Sequence, residues 1–232
     1  MHHQSPQNDL ETLRRYLAAT SAVGPHWSAD GSALAFVWND PGSHHVYVAT
    51  FDSTGEASMA QVTSGDDRCT DPRFLPTGEL VYTSDSGGNE NFQLFVATPG
   101  ATPTPSAAAA GAGSDGWRTR RLTEDDGAKY RVVSISDREV LFIANDRDRS
   151  RFTLYAQPLP LSGWAPQEIF TPERGVPESA ERLADGSLAV ALAFGNMSQE
   201  LVLVEPAYRS LTAGLSGDGE VRWSFLREAS DG

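Results

Sequence analysis

This 232-residue chain has little of several things, and each scarcity excludes a class of protein. A single cysteine, Cys69, excludes an internal disulfide framework and a cysteine-based zinc cage. Lysine and arginine number only 18 against 31 aspartates and glutamates, a formal charge of −13 that repels phosphate backbones and argues against nucleic-acid binding. No apolar run approaches the roughly 20 residues that a membrane-spanning helix needs. The first 20 residues lack the apolar centre of a secretory signal. Histidine is confined to His2, His3, His26, His44 and His45, all within the first 45 residues. The resulting expectation is a soluble, cytoplasmic protein that binds neither nucleic acid nor membrane and uses no metal or cofactor.

What the chain does have is repetition. Four segments follow one grammar: a turn flanked by apolar runs, a second apolar strand, and a closing threonine. The turn positions are Asp30, Thr77, Asp137 and Asp185, at intervals of 47, 60 and 48 residues. The long interval contains residues 100–116, a proline-, alanine- and glycine-rich stretch with little to bury, expected as a surface loop inside the second unit. The strand after each turn begins 16, 17, 17 and 16 residues on, at Val46, Leu94, Leu154 and Leu201. Thr63, Thr123 and Thr171 each precede the next turn by 14 residues, and Thr212 closes the fourth unit.

Asp-Gly supplies the positive φ of a tight hairpin turn in the first and fourth units. Thr-Gly and Asp-Arg take its place in the second and third and are weaker turn formers. A phase of about 47 residues holding three or four strands is the signature of a β-propeller blade. An ordinary sandwich has no reason to keep that phase. The fold expected is therefore all-β: a β-propeller of four blades at about 21–63, 64–123, 124–171 and 172–212. Residues 213–232 begin a fifth, so the ring is partial or open. Residues 1–20 form a tail in which Leu10, Leu13 and Leu17 recur at helical spacing, with Asp9 as N-cap. This predicts a short amphipathic helix packing on blade edges or a partner domain. An unfinished ring leaves apolar edges open, so self-association of the chain is expected, as is its being a piece of a longer protein. The alternative is a four-bladed ring with a closing strand or frayed end.

The strings Gly24-Pro25-His26-Trp27-Ser28-Ala29-Asp30-Gly31, Asp85-Ser86-Gly87-Gly88-Asn89-Glu90-Asn91-Phe92-Gln93-Leu94 and Ala144-Asn145-Asp146-Arg147-Asp148 resemble the N-terminal propeller of prolyl-oligopeptidase-family serine peptidases, in their acylaminoacyl-peptidase and dipeptidyl-aminopeptidase branch. The first string is shared with TolB-type propellers generally. The resemblance implies a propeller that gates an α/β-hydrolase domain carrying a Ser-Asp-His triad. This chain departs from that catalytic pattern. It has no G-x-S-x-G; the nearest string, Gly214-Leu215-Ser216-Gly217-Asp218, lacks the last glycine, and no histidine follows Ser216. No catalytic residue is expected here. The partner implied is an α/β-hydrolase domain; the alternative is a stand-alone TolB-like propeller that binds a protein or peptide.

Five residues are candidates for substrate binding, each with two readings. Asn89 and Glu90 face a channel or docked domain and hold a peptide's charged end, or else Gly87-Gly88 make a turn and Glu90 pairs with an arginine. Asn145, Arg147 and Arg149 lie in an alternating-sign run whose arginines suit a carboxylate, or else pair locally in a solvated loop. The His2-His3 and His44-His45 pairs lack a converging carboxylate, and Asp146 and Asp148 lack the further oxygen ligands of a calcium loop. Cys69 reads as a buried or idle thiol, and Trp27 and Phe74, at equivalent repeat positions, as blade core.

Overall fold

A computed structural model describes residues 20–39, 42–100, 116–195, 198–205 and 208–211. The expected helix at 9–19, most of the 100–116 tract, Thr212, the 214–218 string and the fifth unit at 213–232 lie outside the described residues. Sixteen strands are described. They form four antiparallel sheets, each of four strands in sequence order. The first sheet is β1 (Ala22–Trp27), β2 (Ala33–Trp38), β3 (His45–Phe51) and β4 (Ala57–Gln61). The second is β5 (Cys69–Phe74), β6 (Leu80–Ser84), β7 (Gln93–Pro99) and β8 (Trp117–Arg121). The third is β9 (Tyr130–Ile135), β10 (Glu139–Ala144), β11 (Thr153–Pro158) and β12 (Gln167–Phe170). The fourth is β13 (Val176–Arg182), β14 (Leu188–Phe194), β15 (Ser198–Glu205) and β16 (Arg209–Ser210). Two compact units result: one of residues up to 89 with 95–121, the other of 90–94 with 122 onward.

The turns follow from local chemistry. The Asp30 carboxylate accepts hydrogen bonds from the Ser32 amide (3.0 Å) and from the hydroxyls of Ser28 (2.7 Å) and Ser32 (2.8 Å). Asp185 repeats this with the Ser187 amide (2.8 Å) and hydroxyl (2.5 Å). Gly31 and Gly186 then take φ of 74° and 84°, a region that costs side-chain-bearing residues energy. Both weaker turns also close. Thr77-Gly78 does so with Gly78 at φ 85°. The third unit, without glycine, closes one residue sooner, Ser136 bonding Glu139 through its amide at 3.0 Å.

The closing threonines tie the fourth strand's end to the start of the third. Thr63 Oγ1 accepts from the Val46 amide at 2.9 Å, and Thr123 Oγ1 from the Leu94 amide at 3.1 Å while donating to Gln93 at 2.8 Å. Thr171 pairs with Thr153 at 2.8 Å. A second recurring tie joins the end of the second strand to the approach of the first. Asn39 Oδ1 accepts from the Ser21 amide, Asp85 Oδ1 from Arg68, and Asn145 Oδ1 from Lys129.

Each unit has its own core. In the first, Ala35, Val46 and Val48 of the first sheet meet Phe74, Leu80, Tyr82 and Ala97 of the second. In the other, Leu141, Ile143 and Leu154 meet Leu188, Val190 and Leu192. A stacked aromatic pair recurs in three sheets: Phe36–Tyr47, Tyr82–Phe95 and Phe142–Tyr155. Trp27 corrects the sequence expectation. Phe74 is core, but Trp27 is 54% exposed and touches Phe51, ring centroids 5.6 Å apart. The reason is position: the face that carries Phe74 packs on the first sheet, whereas no described sheet precedes the first to cover Trp27.

Candidate functional site

The loop between β10 and β11 builds itself around Asn145. Asn145 is buried; its amide nitrogen donates to the Arg149 carbonyl at 3.1 Å, and Arg149 Nη1 returns a bond to the Asn145 carbonyl at 2.9 Å. Arg149 Nη2 also forks onto both carboxylate oxygens of Asp125, at 2.9 and 2.7 Å. Gly127 lets the guanidinium lie there: a Cβ on it would sit 3.0 Å from Arg149 Nη2. Asp148 closes the far side by accepting from the Ser150 amide (2.9 Å) and hydroxyl (2.6 Å). These bonds hold the carboxyls low. Asp125 is pulled below the ordinary aspartate range chiefly by the Arg149 hydrogen bond, and Asp148 by the Ser150 hydroxyl.

Arg147 differs from Arg149. It is 66% exposed and, among the described residues, pairs with Glu168 on β12 at 2.5 Å. One wall of the loop is Tyr155, whose hydroxyl donates to Asp146 at 2.9 Å. Burial, then that bond and the Asp146 charge, push the Tyr155 hydroxyl up to about 12. Tyr130 is likewise raised to about 12, mainly by burial. The structure thus separates the two candidate arginines. Arg149 is saturated by a carboxylate and two carbonyls, whereas Arg147 presents its charge to solvent with one exchangeable partner.

Asn89 and Glu90 are both exposed, in the loop between β6 and β7. Gly87 and Gly88 take φ of 60° and 76°, and the Gly87 amide donates to Asp67 at 2.9 Å. Glu90 itself has φ 59°, an unusual conformation for a residue with a side chain. Three residues on, Gln93 is buried and spends its amide on the carbonyls of Asn91, Asp125 and Ala128, so it ties this loop's end to the Asp125 turn. Sequence reasoning missed Asp125, Glu168, Gln93 and Tyr155. The Asp126-Gly127 turn signal was there to read, but pairings across 21 or 24 residues leave no local trace.

The other flagged groups are structural. Cys69 is buried, with Sγ 3.6 Å from Ser84 Oγ, and burial pushes its thiol up, away from the nucleophilic thiolate. His45 is buried beside Thr63. His26 Nδ1 accepts from the Phe74 amide at 3.2 Å. Among the described residues no three His, Cys, Asp or Glu side chains converge as a metal site. Among them, too, no helix is long and apolar enough to cross a membrane.

Comparison with solved structures decides the architecture. TolB from Acinetobacter baumannii superposes with a TM-score of 0.51 and 16% identity, over 82% of this chain and 43% of that one. A TolB-type chain from Agrobacterium tumefaciens gives 0.52 and 16%, over 84% and 62%. The fold is a partial β-propeller. Puromycin hydrolase carries a similar arrangement, with a TM-score of 0.50 and 23% identity over 83% of this chain and 30% of that one. This partial propeller therefore spans less than two thirds of each of these three chains. No family model matches the sequence, and no curated protein does. The propeller expected from the four repeats is borne out as a fold.

Proposed function

We propose that this propeller is a non-catalytic module that receives the carboxylate end of a peptide at Arg147 and presents it to an α/β-hydrolase domain outside these 232 residues. The carrying observation is the contrast between two neighbouring arginines. Asn145, Asp125 and Arg149 lock the loop, and the locked loop holds Arg147 two-thirds exposed against a single carboxylate. A peptide carboxylate can replace Glu168 there without disturbing the loop, because the fork of Arg147 suits any carboxylate. Exposed Glu90, in the same compact unit as Arg147, suits the peptide's amide or amino groups. The fold shared with puromycin hydrolase supports the hydrolase setting, since that protein also carries this propeller within a much longer chain.

The test is calorimetric titration of the purified chain with an unreactive tetrapeptide acid and with its C-terminal amide. The expected result is measurable binding of the acid, at least tenfold weaker binding of the amide, and loss of the difference in Arg147→Ala. Equal binding of acid and amide, or an undiminished preference in Arg147→Ala, would overturn the reading. The TolB likeness favours a second reading, a stand-alone propeller that binds a folded protein partner. Under it neither peptide binds.

A further inference from the structure

Arg147 and Glu168 form an exposed ion pair whose two halves are held unequally. Glu168 lies on β12 directly across from Tyr155 on β11. Its Oε1 accepts from the Thr171 hydroxyl at 3.1 Å, and Thr171 pairs in turn with Thr153 at 2.8 Å. The closing threonine thereby fixes the carboxylate to the sheet, and its other oxygen meets Arg147 Nη1 at 2.5 Å. Arg147 projects from the loop and is 66% exposed, against 36% for Glu168. The Tyr155 hydroxyl, which donates to Asp146 at 2.9 Å, feels three charges: Asp146 and Glu168 negative, Arg147 positive. The neighbouring cations are engaged otherwise, Arg149 on Asp125 and Arg151 on the Pro172 carbonyl at 2.6 Å.

We propose that the peptide received at Arg147 ends in lysine or arginine, and that its cationic side chain pairs with Glu168. This rests on Arg147 taking a peptide carboxylate, and adds what the last residue of that peptide must carry. A bare carboxylate brings a third negative charge to a patch that holds one positive charge. It also competes with Glu168, which belongs to the same chain and sits at high effective concentration beside Arg147. Exchanging one exposed carboxylate for another gains almost nothing, because such pairs contribute little. A C-terminal lysine or arginine changes that balance. Both of its charges arrive on one residue, so breaking one ion pair forms two. Neither Arg147 nor Glu168 is then left without a partner. Glu168 thus has two tasks. It holds Arg147 in place before the peptide arrives, and it selects the side chain of the peptide that displaces it. Its tie to Thr171 keeps it at the site after Arg147 has let it go.

Calorimetric titration of the purified chain with two acetylated tetrapeptide acids tests this. One is acetyl-Ala-Ala-Ala-Lys and the other its isomer acetyl-Lys-Ala-Ala-Ala. Their net charge is the same, so the comparison separates a positioned cation from the general pull of an acidic chain. The C-terminal lysine peptide should bind about three- to fivefold tighter than its isomer, the worth of one further exposed ion pair. In Glu168→Gln the two should bind alike; glutamine keeps a carbonyl for the Thr171 hydroxyl, so the strand end is preserved. Equal binding of the isomers to the wild-type chain, or a preference undiminished in Glu168→Gln, overturns this inference while leaving the role of Arg147 standing. Binding of neither acid, or binding that Arg147→Ala does not weaken, overturns the carboxylate reading itself and this inference with it.

Discussion

Arg149 forks onto Asp125 through hydrogen bonds of 2.7 and 2.9 Å, across 24 residues of sequence. The fork fastens the β10–β11 loop to the turn that leads into β9. Replacing Arg149 by alanine should destabilise the chain by no more than about 1 kcal/mol in urea titration, since the pair is half exposed and screened. Arg149→Lys should recover little, because an ammonium cannot reproduce the fork. Asp125 is held low, so its contribution is complete above the ordinary aspartate range and is lost as pH falls below it. The wild-type advantage over Arg149→Ala should therefore shrink below about pH 4.

The closing threonines make a sharper test of the repeat. Thr123→Val keeps shape but strands both the Leu94 amide and the buried Gln93 carbonyl. The expected loss is about 1–3 kcal/mol, the cost of unsatisfied buried groups. Thr77→Val, at an exposed turn, should cost well under 1 kcal/mol by the same urea measurement.

Two histidines set a pH dependence. His26 and His45 are both held below the ordinary histidine range, chiefly by burial; Arg73 adds to this at His26 and His44 at His45. The folded chain therefore binds fewer protons than the unfolded one. Their contribution to stability is complete above about pH 6.5 and falls as pH drops through the folded values. Urea midpoints should decline from pH 7.5 to 5. His26→Gln should flatten the slope, since His26 accepts the Phe74 amide only when Nδ1 is unprotonated.

Phe142 is the hub of one aromatic cluster, stacked on Tyr155 and Trp164 and tilted against Tyr130. It is 1% exposed. Phe142→Ala should cost about 3–5 kcal/mol, while Phe142→Leu should cost less than half of that. Thermal or urea unfolding of the pair gives the comparison.

The propeller was legible because its signals are local and repeated. Asp30, Thr77, Asp137 and Asp185 mark hairpins whose hydrogen bonds close within five residues, and the 47-residue phase counts the sheets. What escaped notice depends on neighbours remote in sequence. The pairing of Arg149 with Asp125, and of Arg147 with Glu168, decides which arginine is free to exchange partners, yet both read alike in the N-D-R-D-R-S-R run. The equivalence of Trp27 and Phe74 was visible, but not that the matching face of the first sheet lacks a described neighbour. The role of Asn145 was misleading in the same way: its repeat partners Asn39 and Asp85 show the position to be a tie between strands.

The central claim is that this chain holds substrate and breaks no bond. Its most direct test incubates the purified chain with acetyl-peptide and dipeptide anilides while binding of the unreactive peptide acid is followed in parallel. The account predicts no anilide release above the buffer rate, together with peptide binding that Arg147→Ala removes. Sustained release of anilide by the purified chain, surviving Arg147→Ala and repeated chromatography, would contradict it.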